Sequence, residues 1–434
     1  MSYVDANAPE NRMSLSSAGV YAFALVVSLF FLWGVANNLN DILIKQFKKA
    51  FELSDFRAGL VQSAFYVGYF VFAIPASLVT RNCGYRAALL AGLGLYALGA
   101  FAFYPAAALH AYPLFLGALF VIASGLAFLE TAANPLVTVL GPAEGAARRL
   151  NLAQSFNPLG SITGILIGRY FIFSGVELNA GQLAGLDDAA RTAYYASQSL
   201  AVQGPYLLIG AVVILWALLI ATVRLPDVAS RSDATRAPGA TEPPATRGLL
   251  RNTNFLLAVV AQFFYVGAQV GIWSYLIRYA QQALPGLPER RAADFLTIAL
   301  VLFMCGRFAG TALMRFLSPA RLLAIFALVA LALAAVAMLF PGRVGIAALI
   351  ATGFFMSIMF PTIFALGLRG LDDEARKIAS SFLVMAIVGG ATLTLLMGAI
   401  SDAAGIHLAM IVPLLCFATV LAFARYTRTL HTAV

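Results

Sequence analysis

Apolar segments of about 20 residues follow one another along almost the whole chain. A helix of about that length crosses the roughly 30 Å hydrocarbon core of a bilayer, and a soluble core does not contain so many such segments. The composition agrees, because 61% of the 434 residues are hydrophobic and 11% are charged, whereas about a quarter are charged in soluble domains. The sequence therefore predicts an all-α membrane protein.

The segments predict twelve transmembrane helices in two groups of six. The first group is 19–44, 58–80, 86–106, 112–140, 150–174 and 205–224. The second group is 252–282, 292–316, 321–340, 344–368, 377–399 and 404–426. Residues 225–250 are rich in Pro, Ala and Ser and are predicted to be a hydrophilic cytoplasmic linker. We expect six-helix bundles at 19–224 and 251–426, tails at 1–18 and 427–434, and a substrate cavity between two parallel repeats.

The basic residues indicate the orientation of the chain in the membrane. The net charge is +9, but Lys and Arg lie singly between apolar segments and form no stripe for nucleic acid. Most of them fall on one side if both termini are cytoplasmic, as the positive-inside rule requires. The cluster from Lys45 to Lys49 is an exception that this topology places in an outer loop. The first segment has no features of a cleaved signal peptide and is expected to be retained.

Asp41 lies towards the outer end of the first predicted helix, after two Asn residues. Side chains three and four positions apart share a helix face, so Asn37, Asn38 and Asp41 form one polar patch. At 1.5 Å per residue, Asp41 is about 30 Å from the inner end, where it would meet incoming protons first. Alternatively, Asp41 begins the outer loop with Lys45 as a solvated partner.

Glu130 lies deep in the fourth predicted helix, and Asn134 follows one turn later. Ionisable side chains at membrane depth cost several kcal/mol and are usually functional. Burial favours the neutral form of a carboxyl group, so Glu130 is predicted to bind and release a proton. The alternative is a purely structural hydrogen bond between Glu130 and Asn134.

Amides and aromatic rings recur at helical spacing in three further segments. They are Gln62, Tyr66 and Tyr69; Asn151, Gln154 and Asn157; and Gln262, Tyr265, Gln269 and Trp273. Amides bind sugar hydroxyls, and rings pack on the C–H face of a pyranose, so these residues suit a monosaccharide. The predicted substrate contacts are Asn37, Asn38, Gln154, Asn157, Gln262, Gln269 and Trp273, and some of the remaining side chains hold helices together.

Arg307, in the eighth predicted helix, is the remaining charge at membrane depth. It is predicted to hydrogen-bond sugar hydroxyls. Two other roles stay open: balancing a carboxylate during the cycle, or bracing the cytoplasmic gate.

Other chemistries find little support in the sequence. The Cys and His residues are Cys83, Cys305, Cys416, His110, His407 and His431, without metal-ligand or catalytic spacing. Residues 92–97 fit a dinucleotide fingerprint, but no strand precedes them, so helix packing by small residues explains them better. We therefore expect no enzyme activity, no metal and no cofactor besides a coupling proton.

Several motifs resemble the bacterial L-fucose:proton symporter family. They are Phe30-Phe31-Leu32-Trp33-Gly34-Val35-Ala36-Asn37-Asn38-Leu39-Asn40-Asp41, Leu129-Glu130-Thr131-Ala132-Ala133-Asn134-Pro135, Asn151-Leu152-Ala153-Gln154-Ser155-Phe156-Asn157, Gln269-Val270-Gly271-Ile272-Trp273, Gly306-Arg307-Phe308 and Pro361-Thr362-Ile363-Phe364. The resemblance spans nearly the whole chain. It implies a major facilitator fold, alternating access in a bacterial cytoplasmic membrane, proton coupling through Asp41 and Glu130, and sugar contacts at Asn38, Gln154 and Asn157.

The resemblance leaves two alternatives open. The fucose carriers tend to have Gln-Tyr where this chain has Met359-Phe360, which replaces two polar cavity positions with apolar ones, as in the related glucose/galactose carriers. A carboxylate with nearby amide oxygens can also coordinate sodium. The leading hypothesis is a proton-coupled importer of L-fucose or a similar monosaccharide, functional as a monomer in the bilayer. The alternative is a glucose/galactose importer, for which coupling to protons or to sodium stays open. A membrane enzyme or a non-transporting sensor would leave the paired carboxylates without a role.

Overall fold

The computed structural model describes residues 17–51, 55–167, 171, 182, 185–223 and 248–432, and these form an almost entirely helical protein. The helices of the first half are α1 (Ser17–Ala50), α2 (Asp55–Ala108), α3 (Tyr112–Val139), α4 (Ala146–Gln154), α5 (Phe156–Ile167), α6 (Asp188–Leu200) and α7 (Gln203–Thr222). Those of the second half are α8 (Thr253–Ala283), α9 (Glu289–Leu313), α10 (Pro319–Leu339), α11 (Arg343–Met356), α12 (Met359–Gly367), α13 (Asp373–Met385), α14 (Gly389–Ala404) and α15 (Ile411–Thr432).

Each predicted segment is helical wherever the structure describes it, apart from short breaks. Within the described ranges, nine helical stretches are long and apolar enough to cross a membrane. One of them, Ala64–Ala108, covers most of the second predicted segment and all of the third. The first and fifth predicted segments correspond to α1 and to α4 with α5. The outer surface is apolar, with side chains such as Leu98, Leu208 and Leu395 more than half exposed, as contact with lipid requires.

The structure differs from the prediction at several helix ends. α1 continues to Ala50, so Lys45 to Lys49 lie on a helix and not in the predicted outer loop. α6 was missed because it is polar and amphipathic; Asp187 caps it by accepting a 2.7 Å hydrogen bond from the Ala190 N–H. α15 runs to Thr432, beyond the predicted end at 426. Polar residues extend these helices because intrahelical hydrogen bonds satisfy the backbone there as well as water does.

Breaks interrupt α2 and the fifth and tenth predicted segments. Gly84 separates the two segments of α2 with a φ of 84°, a conformation that glycine adopts without steric cost. Ser155 separates α4 from α5, and Ser357 with Ile358 separates α11 from α12. The last two breaks lie in the fifth and tenth predicted segments.

The two halves repeat the same kind of close helix contact. In the first half, α1 packs on α5 where Gly34 meets the Asn157 carbonyl. In the second half, α8 packs on α14 where Gly389 meets the Phe263 carbonyl. A Cβ at either glycine would collide with backbone, so these contacts need glycine and set how closely the helices approach. Gly92, from the dismissed dinucleotide motif, likewise packs against the Gly125 carbonyl.

The halves join through what we call the inter-half contact, formed by α2, α3 and α4 of the first half with α12 and α13 of the second. At its edge, the Tyr85 hydroxyl donates to Asp373 Oδ1 at 3.3 Å. Lys377 Nζ pairs with Asp373 Oδ2 at 2.7 Å and lies 5.2 Å from the centre of the Tyr85 ring.

Candidate functional site

Glu130 is the buried acid of the first half. It lies in the middle of α3 and is 1% exposed. Neither carboxylate oxygen has a hydrogen-bond partner among the described residues. A charged carboxylate is strongly disfavoured without partners, whereas a protonated one is tolerated. The site therefore suits a carboxyl group that takes up and gives back one proton.

Asn134 and Gln154 extend from Glu130 towards the centre of the molecule. The Asn134 side chain lies beside Glu130, although its Nδ2 makes no well-formed hydrogen bond among the described residues. Its Oδ1 accepts a 3.0 Å bond from Gln154 Nε2. A small rotation would join Asn134 to Glu130, so the chain Glu130–Asn134–Gln154 connects the acid with a predicted sugar contact.

Tyr69 lies near Glu130, and Trp33 lies beside Tyr69. The Tyr69 hydroxyl is close enough to Glu130 and to the Trp33 indole to interact electrostatically with both. Neither the indole N–H nor the hydroxyl makes a well-formed hydrogen bond within the described part of the chain. Two buried donors beside an acid, both without partners, are what a polar ligand needs.

Asn157, at the start of α5, is half-buried and donates to the Phe30 carbonyl over 3.4 Å. Because Gly34 packs on its carbonyl, Asn157 lies beside the α1 segment that carries the predicted Asn patch. The side chains of Asn37, Asn38 and Asp41 lie outside the described residues, although their backbone belongs to α1. Their predicted roles stay predictions.

The second half contributes amides and rings from α8. Gln262 is fully buried, and neither its oxygen nor its nitrogen has a described partner. Gln269 and Trp273 follow along the same helix and are half-buried. The Trp273 ring packs edge-on against Phe303 at 5.1 Å, while its indole N–H is unpartnered. These residues offer donors, an acceptor and an aromatic surface without carrying a charge.

Arg307 is the buried cation of the second half, and it is 4% exposed. Its Nε donates to the Ser357 carbonyl at 2.7 Å, and its Nη1 donates to the Gln154 carbonyl at 2.9 Å. Both carbonyls lie at helix breaks, where the next turn supplies no amide donor. The guanidinium also lies 4.6 Å from the centre of the Phe303 ring. Arg307 thereby connects the two halves, which fits the bracing role left open by the sequence.

Asn151 has a structural position, unlike its neighbours in the same polar stripe. Its Nδ2 lies 3.0 Å from Thr362 Oγ1 and 3.7 Å from Met314 Sδ, both in the second half. In this polar stripe, Asn151 therefore belongs to the inter-half contact, whereas Gln154 and Asn157 belong to the candidate site.

Sequence reasoning did not commit to Trp33, Tyr69 or Asn134 as site residues. Tyr69 lies in a polar stripe, Trp33 precedes the Asn patch, and Asn134 follows Glu130 by one turn, so each had a signal. Met359, expected to be a cavity position, is fully buried, and Phe360 packs on the Tyr265 and Phe364 rings.

Comparisons with known proteins are consistent across sequence and structure. Residues 14–393 match the Major Facilitator Superfamily. The chain is 47% identical to the L-fucose-proton symporter of Escherichia coli, over 98% of this chain and 95% of that protein. It is 38% identical to a glucose/galactose transporter of Brucella abortus, over 93% of each. The crystal structure of the transporter FucP in the outward conformation superposes with a TM-score of 0.87 at 47% identity, covering 94% of this chain and 99% of that one.

Proposed function

The chain belongs to the Major Facilitator Superfamily and is a multi-pass membrane transporter, not an enzyme; we propose that it imports L-fucose together with a proton. The high identity to a bacterial L-fucose-proton symporter over nearly the full length supports this substrate and this coupling ion. We also propose that the chain works as a monomer in a bacterial cytoplasmic membrane, with both termini in the cytoplasm.

The observation that carries proton coupling is the environment of Glu130. Its carboxylate is almost fully buried and has no described hydrogen-bond partner or counter-ion. Such a group is stable when protonated and unstable when charged, unless water or a ligand reaches it. Proton binding is therefore linked to whether the site is open to solvent.

Sugar binding is assigned to polar side chains of both halves, of which Gln262 and the Trp273 indole N–H have no described partner. The proposed contacts from the first half are Asn37, Asn38, Gln154 and Asn157, and those from the second half are Gln262, Gln269 and Trp273. Unsatisfied buried amides favour a ligand that brings both donors and acceptors, as sugar hydroxyls do. Arg307 binds carbonyls of both halves, so in our proposal it holds the breaks of the fifth and tenth segments beside the sugar and touches the sugar only when the halves part.

The proposed cycle follows alternating access. Sugar and proton bind from outside, with Asp41 as the first proton acceptor and Glu130 as the second. The halves then rock about the site, and Glu130 releases its proton inward. Each proton that enters with one sugar adds about 2.3 kcal/mol per 100 mV of membrane potential to accumulation.

A glucose/galactose importer is the second candidate, because curated relatives of that description are 38% identical over 93% of the chain. Met359-Phe360 is the feature of this sequence that favours it. Phe360 stacks on Phe364 and meets Tyr265 edge-on, so a Tyr at position 360 would place a hydroxyl among aromatic rings.

Uptake into proteoliposomes tests the proposal. Labelled L-fucose should accumulate when the outside is acidic, unlabelled L-fucose should compete fully, and D-glucose, D-galactose and D-arabinose should compete weakly. A sodium gradient without a pH gradient should drive no accumulation. Full competition by D-glucose, or uptake that follows sodium, would replace the proposal with the second candidate.

A further inference from the structure

The backbone beside Glu130 contains a carbonyl that its own helix does not satisfy. In a regular α-helix, the carbonyl of residue 131 accepts from the N–H of residue 135. Residue 135 is Pro, which has no N–H, so Thr131 next to Glu130 is left with a free carbonyl inside α3. Thr131 is fully buried, where an unsatisfied carbonyl is unfavourable.

The missing donor comes from the other half of the molecule. Ser380 Oγ on α13 donates to the Thr131 carbonyl at 3.0 Å, and Ser380 is also fully buried. The same oxygen lies 2.7 Å from the Lys377 carbonyl in its own helix. A hydroxyl has one hydrogen, so these two acceptors compete for it. The bond within α13 survives any movement of the halves, whereas the bond to Thr131 exists only when the halves touch.

The charged and titratable groups around this contact come from three helices. α3 supplies Glu130, and α2 supplies Tyr69 and Tyr85. α13 supplies Asp373, Arg376 and Lys377. Asp373 is paired with Lys377 at 2.7 Å and lies 4.0 Å from Arg376, so each of these charges on α13 has an opposite charge beside it. Glu130 is the acid in this group without a described partner.

We propose that Ser380 is a positioning residue that seals the inter-half contact beside Glu130 and couples loss of the proton to separation of the halves. When α13 moves away, the Ser380 hydroxyl turns to Lys377, and the Thr131 carbonyl must bind water instead. That water arrives one residue from Glu130 and provides the acceptor for its proton. While Ser380 occupies the carbonyl, water has no hydrogen-bonding site there, and the proton stays on Glu130.

Two neighbouring serines allow a matched test of this proposal, which rests on the proposed proton symport. Ser381 is buried too, but its hydroxyl donates to Ile378 within α13 at 2.7 Å. Proteoliposomes with Ser380→Ala should leak protons without sugar about three- to tenfold faster than wild type, the equilibrium change expected for one lost hydrogen bond. Ser381→Ala should leak at the wild-type rate, and Ser380→Thr, which keeps the hydroxyl, should restore the seal.

The KM for sugar exchange should stay within about twofold in all three variants, since Ser380 does not touch the sugar. If wild type couples sugar to protons but Ser380→Ala and Ser381→Ala leak protons at equal rates, the proposed role of Ser380 is overturned and the proposed symport is not. Absence of sugar-dependent proton uptake in wild type would instead overturn the proposed symport. A Ser380→Ala protein with an unchanged thermal midpoint and a faster leak supports the proposal and separates the seal from folding.

Discussion

Glu130 and Arg307 are buried to nearly the same degree, one in each half, yet their surroundings are opposite. Arg307 donates to two main-chain carbonyls and lies over a Phe ring. Glu130 has no described partner for either oxygen. A guanidinium keeps its charge in proteins, and two main-chain acceptors stabilise it here. The comparison teaches that the charge of the second half is fixed, whereas the charge of the first half can be removed by a proton.

Replacing Glu130 by a neutral residue tests the contrast between Glu130 and Arg307 most directly. Glu130→Gln should abolish sugar accumulation driven by a pH gradient, so that the ratio of inside to outside sugar falls to about 1, while sugar exchange persists. A neutral amide mimics the protonated acid and cannot release a proton. The measurement is labelled sugar uptake with and without an acidic exterior. Glu374→Gln, an exposed acid on α13, is the matched control and should accumulate sugar normally. Gradient-driven accumulation by Glu130→Gln would refute the role of this residue.

Removing the fixed charge should act differently. Arg307→Met loses the bonds to Gln154 and Ser357, so both exchange and accumulation should fall by about tenfold or more. Unfolding should become easier by about 1–3 kcal/mol, because buried carbonyls are left without donors. The Lys side chain of Arg307→Lys can reach only one carbonyl, so its transport and its stability should lie between those of wild type and Arg307→Met. Exchange assays and thermal unfolding in detergent measure the two effects. Wild-type exchange in Arg307→Met would show that this cation is dispensable.

A pair of buried amides sharpens the contrast between site and scaffold. Gln262→Leu should raise the KM for sugar about tenfold, the cost of one or two hydrogen bonds, without lowering stability, because its polar atoms have no described partner. Asn151→Leu should lower stability by about 1–2 kcal/mol, because Asn151 donates to Thr362 across the halves. The measurements are the KM for sugar and the thermal midpoint of each variant. A destabilised Gln262→Leu with unchanged KM would reverse the assignment.

We expect the smallest effect on stability and transport from the Tyr85–Asp373 contact at the edge of the inter-half contact. Tyr85→Phe removes a 3.3 Å bond to Asp373, whereas Asp373 keeps its 2.7 Å pair with Lys377. A double-mutant cycle of Tyr85→Phe and Asp373→Asn should give a coupling of about 0.5–1 kcal/mol in thermal stability. Transport should change less than threefold. A coupling above about 2 kcal/mol would show that this edge, and not Arg307, contributes most to holding the two halves together.

The fold was largely predictable because membrane-spanning length is encoded locally. A run of about 20 apolar residues in a membrane has little alternative to forming a helix, so the apolar helices of the described residues were predicted from sequence. The helix α6 was not predicted, because its polar composition is typical of a loop, and its apolar face becomes meaningful only when it packs on the rest of the bundle. The breaks at Ser155 and Ser357 were also missed, although Pro158 and Pro361 remove the N–H groups that the Gln154 and Ser357 carbonyls would accept from in a regular helix. The donor that stabilises these freed carbonyls is Arg307, which is distant in sequence.

The site was predictable only in part for a similar reason. Burying a carboxylate or an amide at membrane depth is visible in the sequence, which is why Glu130, Gln154 and Gln262 were identified. Which buried amide meets a partner is decided by tertiary packing, so the sequence could not distinguish Asn151, which bonds to Thr362 across the halves, from Gln262, which has no described partner. Tyr69 and Trp33 came to the site because α1 and α2 pack beside α3.

The central claim is that Glu130 carries the proton that accompanies the sugar. Adding L-fucose to wild-type proteoliposomes in a weakly buffered medium should produce an alkaline shift outside, as protons enter with the sugar. The account predicts this shift for wild type and its complete loss in Glu130→Gln, with sugar binding intact. A shift of wild-type size in Glu130→Gln would contradict the account, because the proton would then travel on another group.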